Sequence, residues 1–506
     1  MASLSVAAIL AENARRRPGK TALVEGDLRL TFAEVWERAR ARAGALAGLG
    51  VRPGDRVALM APNTAEFPVA YYAAAAAGAV VVPVHLLLSA PEVEHVLKDS
   101  GAALLLVHPA QAETGRAAAD ALGVRTVVLG EEFDTLAADA EALPSYVTRA
   151  ADDPAVIFYT SGTTGVPKGA VLSHFNLVMN ATVNAFDAND IRPDDVALGA
   201  LPLFHAFGQT VSLNSTWRAG ATLVLLPRFD AAGAIDLMVK EGVNTFQGVP
   251  TMFVALAAAA ADADALPELR VCISGGASLP VAVLERFEAA FGAHIYEGYG
   301  LSETSPTATV NQPVFGTRAG TIGHPLWGVD VEIARAEVEG RVELLPPGEL
   351  GEVVIRGHNV FSGYLGRPEA TAEALVDGWF RTGDLGTKDD EGFLRIVDRK
   401  KDVIIRGGYN VYPREVEEVL MRHPAVAQVA VIGLPDELHG EEVCAVVVPT
   451  ADGRLDAAAL TEWSKDHLGR HKYPRRVEFA DALPLGPSMK VLKRELRTQY
   501  GDRQGR

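Results

Sequence analysis

Cysteine is nearly missing from this chain: Cys272 and Cys444 are the only two among 506 residues. Two thiols cannot build a disulfide framework, and no Cys/His spacing of the zinc-site kind occurs. So little cysteine fits a reducing compartment, and a cytoplasmic location is expected. Positive charge is in deficit as well. Lys and Arg number 47 against 64 Asp and Glu, a net charge of −17. Nucleic-acid binders carry a basic surplus, so no nucleic-acid partner is expected. Long apolar runs are lacking too. None reaches the roughly 18–20 residues that cross a bilayer, so no integral membrane segment is expected. The opening MASLSVAAILAENARRRPGK is too weakly apolar, and charged too early, for a signal peptide. It reads as a short amphipathic helix.

The composition that remains, 48% hydrophobic and 22% charged, is that of a soluble globular protein. The length exceeds one ordinary core, so at least two domains are expected. Up to about residue 330 helical, Ala-rich stretches alternate with short apolar runs: RVALMAP, GAALLLVHP, VALGALPL, ATLVLLP, NTFQGVP and LRVCISGG. Most run into a loop with Gly or Pro, the habit of α/β folds whose functional loops sit at strand ends. From about 331, DVEIARAEVEG and GELGEVVIRG alternate apolar and polar residues, which reads as antiparallel β. The charged run at 398–402 looks like a connector. Beyond it PREVEEVLMRH reads as a helix, and AQVAVIGLP and EEVCAVVVP as strands. The fold class expected is α/β: a large N-terminal multi-sheet domain with a β-rich subdomain over 1–400, and a small α+β domain over 401–506.

One stretch is built to hold something: YTSGTTGVPKG, Tyr159 to Gly169. Small residues let backbone N–H groups approach a ligand closely; Ser and Thr add hydroxyls, and Lys168 adds a cation. These are the parts of a polyphosphate clamp. The P-loop pattern ends in Gly-Lys-Ser/Thr, whereas here Pro167 precedes the lysine and Gly169 follows it. No hydroxyl is placed to hold Mg²⁺ as a P-loop hydroxyl does.

That stretch is followed in order by LPLFHAFGQ (201–209), ISGGASLP (273–280), YEGYGLSET (296–304), GWFRTGDLG (378–386), DRKKDVIIRGGYNVYP (398–413) and SMKVLKREL (488–496). Together they span essentially the whole chain, and it resembles the adenylate-forming superfamily of acyl-CoA synthetases, peptide-synthetase adenylation domains and beetle luciferases. The resemblance implies ATP, Mg²⁺ and coenzyme A as cosubstrates and cofactor. It implies a phosphate loop of Thr160, Ser161, Gly162, Thr163, Thr164, Gly165 and Lys168 that handles the departing pyrophosphate. Mg²⁺ would fall to Glu303, with Ser302 or Thr304 nearby. Adenine would stack on Tyr299, with Gly300 following it and the Gly276, Ala277, Ser278 backbone lining it. Asp384 and Arg399 would hold the ribose. Lys490 would be the cation that joins the acid carboxylate to the α-phosphate. Here the chain departs from the family, which usually has Gly where Met489 stands. The small C-terminal domain would be mobile, with its hinge at Lys401 and with Gly407 beside the pantetheine tunnel.

The same resemblance places the acid pocket around His205, Phe207, Val211, Val249, Phe253 and Gly298. A lone histidine is more often a core residue than a functional one; at this position orientation of the substrate is the expected role. Neither the carboxylate that amino-acid-activating domains keep nor the arginine of malonate-activating relatives is present, so the pocket reads as apolar. The chain looks most like a fatty-acid–CoA ligase for a medium- or long-chain acid. The alternatives are an acyl-AMP ligase that loads a carrier protein and a non-catalytic nucleotide-binding relative. The partners expected are the small-molecule substrates, and a homo-oligomer is left open.

Overall fold

The computed structural model describes residues 2–161, 167–450, 455–486 and 491–501. Among them the strands form four sheets. In a seven-stranded sheet Arg56–Met60, Val80–Pro83, Ala102–Val107, Arg125–Val128 and Pro154–Ser161 run parallel. At one edge the direction reverses. Pro154–Ser161 pairs antiparallel with Pro167–Ser173, and that strand pairs with Gly363–Tyr364. A nine-stranded sheet is built on the parallel strands Ile295–Gly300, Val271–Ser274, Thr245–Gly248, Val196–Gly199, Thr222–Leu225 and Thr21–Glu25. Strands such as VVVP and VCIS are buried throughout, as parallel strands covered on both faces must be.

Helices fill the space between these sheets. Glu66–Ala76 buries every residue after its first, and alanine makes that close approach sterically cheap. Trp217 anchors the same core, with ring centroids 5.2 Å from Tyr72 and 6.1 Å from Phe32. Its indole N–H donates to the Ala22 carbonyl at 2.9 Å, so the polar handle stays satisfied. The opening segment forms the helix Ala7–Arg16, with Ile9 and Leu10 buried and Arg15 and Arg16 exposed.

The change of pattern after 330 is real. Val329–Ala334, Gly351–Gly357, Trp379–Lys388 and Leu394–Arg399 form an antiparallel sheet. A fourth sheet begins at Ile404–Arg406 and carries Tyr409–Val411, Val426–Asp436, Gly440–Pro449 and Arg476–Phe479. The link is short and hydrogen-bonded: Asp398 accepts from the Arg414 backbone N–H at 2.9 Å, and Asp402 pairs with Arg497 at 2.9 Å. The architecture is α/β, a large multi-sheet N-terminal part followed by a smaller C-terminal one. Among the described residues no helix is long and apolar enough to cross a membrane.

Candidate active site

The candidate site draws on the carboxyl ends of parallel strands in both large sheets and on antiparallel strands beside them. The glycine-rich stretch leaves Pro154–Ser161 and returns as Pro167–Ser173, with Thr160 opposite Lys168 in the register. A P-loop leads from a strand into a helix whose first N–H groups bind phosphate. This chain instead returns as a strand, which explains why Gly169 takes the place of the P-loop hydroxyl. A Cβ on Gly169 would stand 2.8 Å from Ile157 and 3.3 Å from the Tyr159 ring. Gly162, Thr163, Thr164, Gly165 and the side chain of Ser161 lie outside the described residues.

Glu303 faces this hairpin from the turn Ser302–Thr304 and is only 7% exposed. Thr160 Oγ1 donates to its Oε1 at 3.3 Å, and the Tyr364 hydroxyl donates to the same oxygen at 3.0 Å. Among the described residues no Lys, Arg or His pairs with it. A buried carboxylate without a basic partner is costly, and a hard cation that favours oxygen ligands would offset that cost. The donor set therefore fits Mg²⁺. Thr304 does not join it: fully buried, its hydroxyl accepts from Leu301 N–H at 2.9 Å and donates to the Pro306 carbonyl within the turn. Ser302 is half-buried beside Glu303. Gly300 is obligatory for packing, because a Cβ there would lie 1.8 Å from the Pro306 oxygen.

Tyr299, Asp384 and Arg399 form one cluster. The Tyr299 hydroxyl donates to Asp384 Oδ2 at 2.6 Å, and Arg399 Nε approaches Oδ1 at 3.2 Å. Asp384 and Arg399 face each other across neighbouring strands, which fixes the pair. Burial, and then the Asp384 charge, hold the Tyr299 phenol well above its ordinary range. An ionised carboxylate has about four lone-pair sites, so Asp384 keeps acceptor capacity for a diol. Gly276, Ala277 and Ser278 follow the strand Val271–Ser274, with Ala277 and Ser278 exposed. Their loop is held by Glu297, whose Oε1 accepts from the Leu279 N–H at 3.0 Å. Burial pushes the Glu297 carboxyl up to about 8.

A small apolar cavity of about 10 Å³ lies beside this loop, lined by Leu201, Pro202, His205, Phe207, Gly208, Val249 and Gly276. His205 Nδ1 accepts from the Phe207 N–H at 3.2 Å. With Nδ1 accepting, the neutral tautomer of the ring carries its proton on Nε2. Phe253 and Val211 do not line the cavity. Phe253 is fully buried, its ring centroid 5.2 Å from Phe246 and 4.9 Å from Phe287, and Val211 is buried in the turns Gly208–Asn214. Gly298 sits in the strand Ile295–Gly300, where a Cβ would be 3.2 Å from the Thr309 oxygen. Phe207 and the Gly298 carbonyl approach Gly275 from opposite sequence regions, at 3.1 and 3.6 Å from the position of a Cβ there.

Farther along, Lys401 is exposed just after the third sheet. Gly407 has φ +56°, a conformation that favours glycine, and its N–H donates to the His439 carbonyl at 2.8 Å. Lys490 and Met489 lie outside the described residues. Cys272 and Cys444 are both buried, and burial pushes their thiols up, Cys444 to about 12. Neither is a nucleophile in this setting.

Residues 10–365 match the AMP-binding enzyme family, and residues 415–490 match the AMP-binding enzyme C-terminal domain. The chain belongs to the adenylate-forming, AMP-binding enzymes. It is similar to feruloyl-CoA synthase of an Amycolatopsis species, 42% identical over 493 residues that cover 96% of this chain and 97% of the relative. It is 39% identical over 505 residues to the long-chain-fatty-acid–CoA ligase FadD13 of Mycobacterium tuberculosis, covering 97% and 98%. The structure of the anthranilate CoA ligase AuaEII in complex with anthranoyl-AMP superposes with a TM-score of 0.94 at 28% identity, covering 100% of this chain and 98% of that one. This protein is thus an AMP-forming CoA ligase. Enzymes of this kind use ATP, Mg²⁺ and CoA.

Sequence reasoning missed Tyr364 and Glu297. Tyr364 lies in FSGYLGR, 61 positions from Glu303, and no local pattern announces the contact. Glu297 stood within a quoted motif, yet its bond to Leu279 depends on the pairing of two parallel strands.

Proposed function

We propose that this ligase activates an acid with an uncharged, compact tail, arylpropenoic in type, and transfers it to CoA. The observation that carries this reading is the cavity beside His205. No Asp, Glu, Lys or Arg lines it, and its Leu201, Phe207 and Val249 belong to the same buried core as Phe246, Phe253 and Phe287. A short lining of Leu201, Phe207 and Val249 suits a flat, short acid better than a long chain. The resemblance to feruloyl-CoA synthase supports it. A second reading, a medium- or long-chain fatty acid, is favoured by the apolar lining and by the similarity to fatty-acid–CoA ligases.

The residues take the following roles in this reading. Lys168 and the hairpin residues grip the β- and γ-phosphates. Glu303 holds Mg²⁺, which would neutralise phosphate charge when bound. Tyr299 supports adenine, and Asp384 with Arg399 holds the ribose. His205 donates from Nε2 to an oxygen of the acid or the α-phosphate. A carboxylate oxygen of the acid attacks the α-phosphorus, a P–O bond forms, and the bond to pyrophosphate breaks. Lys490 lowers the repulsion between the two anions and stabilises the charge that develops in the transition state. In the second half-reaction the CoA thiolate attacks the acyl carbon, a C–S bond forms, the acyl C–O bond to the phosphate breaks and AMP leaves with that electron pair. Residues 401–506 would turn about Lys401 between the halves, bringing Gly407 to the thiol path, where a side chain would obstruct it.

The test is to supply ATP and CoA with ferulate, benzoate, octanoate, palmitate, malonate and an amino acid, and to measure AMP and thioester together. Ferulate with the highest kcat/KM supports the first reading, and octanoate or palmitate the second. Malonate in first place would overturn both. Adenylate without thioester would mean carrier-protein loading, and no adenylate at all would mean a non-catalytic relative.

A further inference from the structure

The segment Phe361–Arg367 touches both described strands of the hairpin and the turn that carries Glu303. The Phe361 N–H donates to the Glu303 carbonyl at 2.9 Å, and the Leu365 N–H donates to the Gly169 carbonyl at 2.8 Å. Between them, Tyr364 does two things. Its hydroxyl donates to Glu303 Oε1 at 3.0 Å, and its ring lies under the Lys168 ammonium, 5.4 Å from the centroid. Arg367 then pairs with Asp99 at 2.7 Å, and Asp99 accepts from the Tyr159 hydroxyl at 2.8 Å. One short segment therefore ties both strands of the hairpin to the turn that carries Glu303.

We propose that Tyr364 is a positioning residue that aims the Glu303 carboxylate at the metal and the Lys168 ammonium at the phosphates. The inference rests on the reading of Glu303 as the Mg²⁺ residue. Two hydroxyls, from Tyr364 and Thr160, converge on Oε1. Among the described residues nothing bonds to Oε2, so that oxygen is the one presented to a cation. A carboxylate on a two-carbon stem has several rotamers; two donors from separate strands leave one. The aromatic face does the same for Lys168, since a cation is attracted to the ring and the four-carbon stem is otherwise free. Tyr364 touches neither nucleotide nor acid in this arrangement. It acts through Glu303 and Lys168.

Two substitutions separate the two contacts. Tyr364→Phe removes the hydroxyl and keeps the ring; Tyr364→Leu removes both. The readout is ATP binding by calorimetry at a series of Mg²⁺ concentrations, without acid or CoA, alongside kcat and KM for Mg·ATP. Tyr364→Phe is expected to raise the half-saturating Mg²⁺ concentration about tenfold, the scale of one lost hydrogen bond to a charged group. Its ATP binding without metal should be unchanged. Tyr364→Leu should also weaken binding without metal. Combining Tyr364→Phe with Glu303→Gln should add nothing to the Mg²⁺ dependence of Glu303→Gln alone, because the hydroxyl then has no carboxylate to aim. If Glu303→Gln itself leaves the Mg²⁺ dependence unchanged, the metal reading of Glu303 falls, and this inference with it. If Glu303→Gln shifts the dependence and Tyr364→Phe does not, the role of Tyr364 alone is overturned. Equal weakening with and without Mg²⁺ in the Phe variant, or its failure to fold, overturns the role as well, by showing that the hydroxyl serves the fold.

Discussion

The two ends of the candidate site, the proposed nucleotide end and the proposed acid end, are built differently. At the nucleotide end, charged and hydroxyl groups from distant segments are cross-linked through buried carboxylates: Asp384 joins Tyr299 to Arg399, and Glu303 joins Thr160 to Tyr364. At the acid end, Leu201, Phe207 and Val249 line an apolar cavity, with His205 as the polar group. Hydrogen bonds to charged groups have fixed partners and directions, so one residue type is required at each position. Dispersion and burial are non-directional, and many apolar residues would serve. The nucleotide end is therefore spelled out in motifs, whereas selectivity for the acid is spread over the shape of a core.

The largest expected effect falls on the proposed step that joins the acid to the α-phosphate. Lys490→Ala should lower acyl-AMP formation on the order of 10²–10³-fold, the scale of losing one preorganised charge-stabilising group. Thioester formation from supplied acyl-AMP should be nearly unchanged. Single-turnover assays of the two halves would check this, and equal loss in both would remove Lys490 from the phosphoryl-transfer step.

Next comes a change confined to the nucleotide end. Asp384→Asn keeps the shape but removes the charge that Arg399 faces and one of the acceptors. Loss of charge-assisted bonding at that scale lowers kcat/KM for ATP about 10- to 100-fold, with KM for the acid nearly constant. If the KM of the acid rose as much as that of ATP, the two ends would not be separable in the way their structures suggest.

At the acid end the effect should be smaller and take the form of a ratio. Val249→Leu adds one methylene to the lining of the cavity. A hydrophobic pocket discriminates one methylene by about 1–3 kcal/mol. The variant should therefore favour benzoate over ferulate by about tenfold or more relative to the parent, with KM for ATP unchanged. An unaltered ratio would move the acid out of this cavity.

The same contrast explains what could be read from the chain. The α/β order was legible, because VVVP, VCIS and AALLLV are continuous apolar runs with Gly or Pro at their ends. So was the glycine-rich stretch, including that it is no P-loop, although only the structure shows why: the chain returns as a strand. His205, Phe207 and Val249 do come together, whereas Phe253, expected beside them, is buried with its ring against Phe246 and Phe287. An aromatic in an apolar run carries no mark of which side of a wall it will face. Tyr364 escaped notice for a related reason. Its partners, Glu303 and Lys168, lie far off in sequence, and a tyrosine between Gly363 and Leu365 reads as a turn beside a short strand.

The smallest expected effect tests whether the buried carboxylates of the nucleotide end are all of one kind. Glu297 is 6% exposed and accepts from the Leu279 N–H. Among the described residues no ion pair accompanies it; Arg414 and Glu418 from the helix Pro413–Leu420, and Arg395 from the strand Leu394–Arg399, face it only at longer range. Burial is the largest influence, and it raises the carboxyl from an ordinary 4.5 to about 8. The folded protein thus holds a proton here that the unfolded chain has released. Where the native state binds more protons, stability falls as pH rises. The contribution of Glu297 is therefore complete below about pH 4.5 and is lost as pH rises toward 8. Glu297→Gln keeps an oxygen for the Leu279 N–H and cannot ionise. Its melting temperature should decline less than that of the parent between pH 5 and pH 8, by about 2 °C. Thermal melts of both proteins in matched buffers would measure the difference. A parallel decline would mean that Glu297 is already ionised at pH 5 rather than held neutral by its burial.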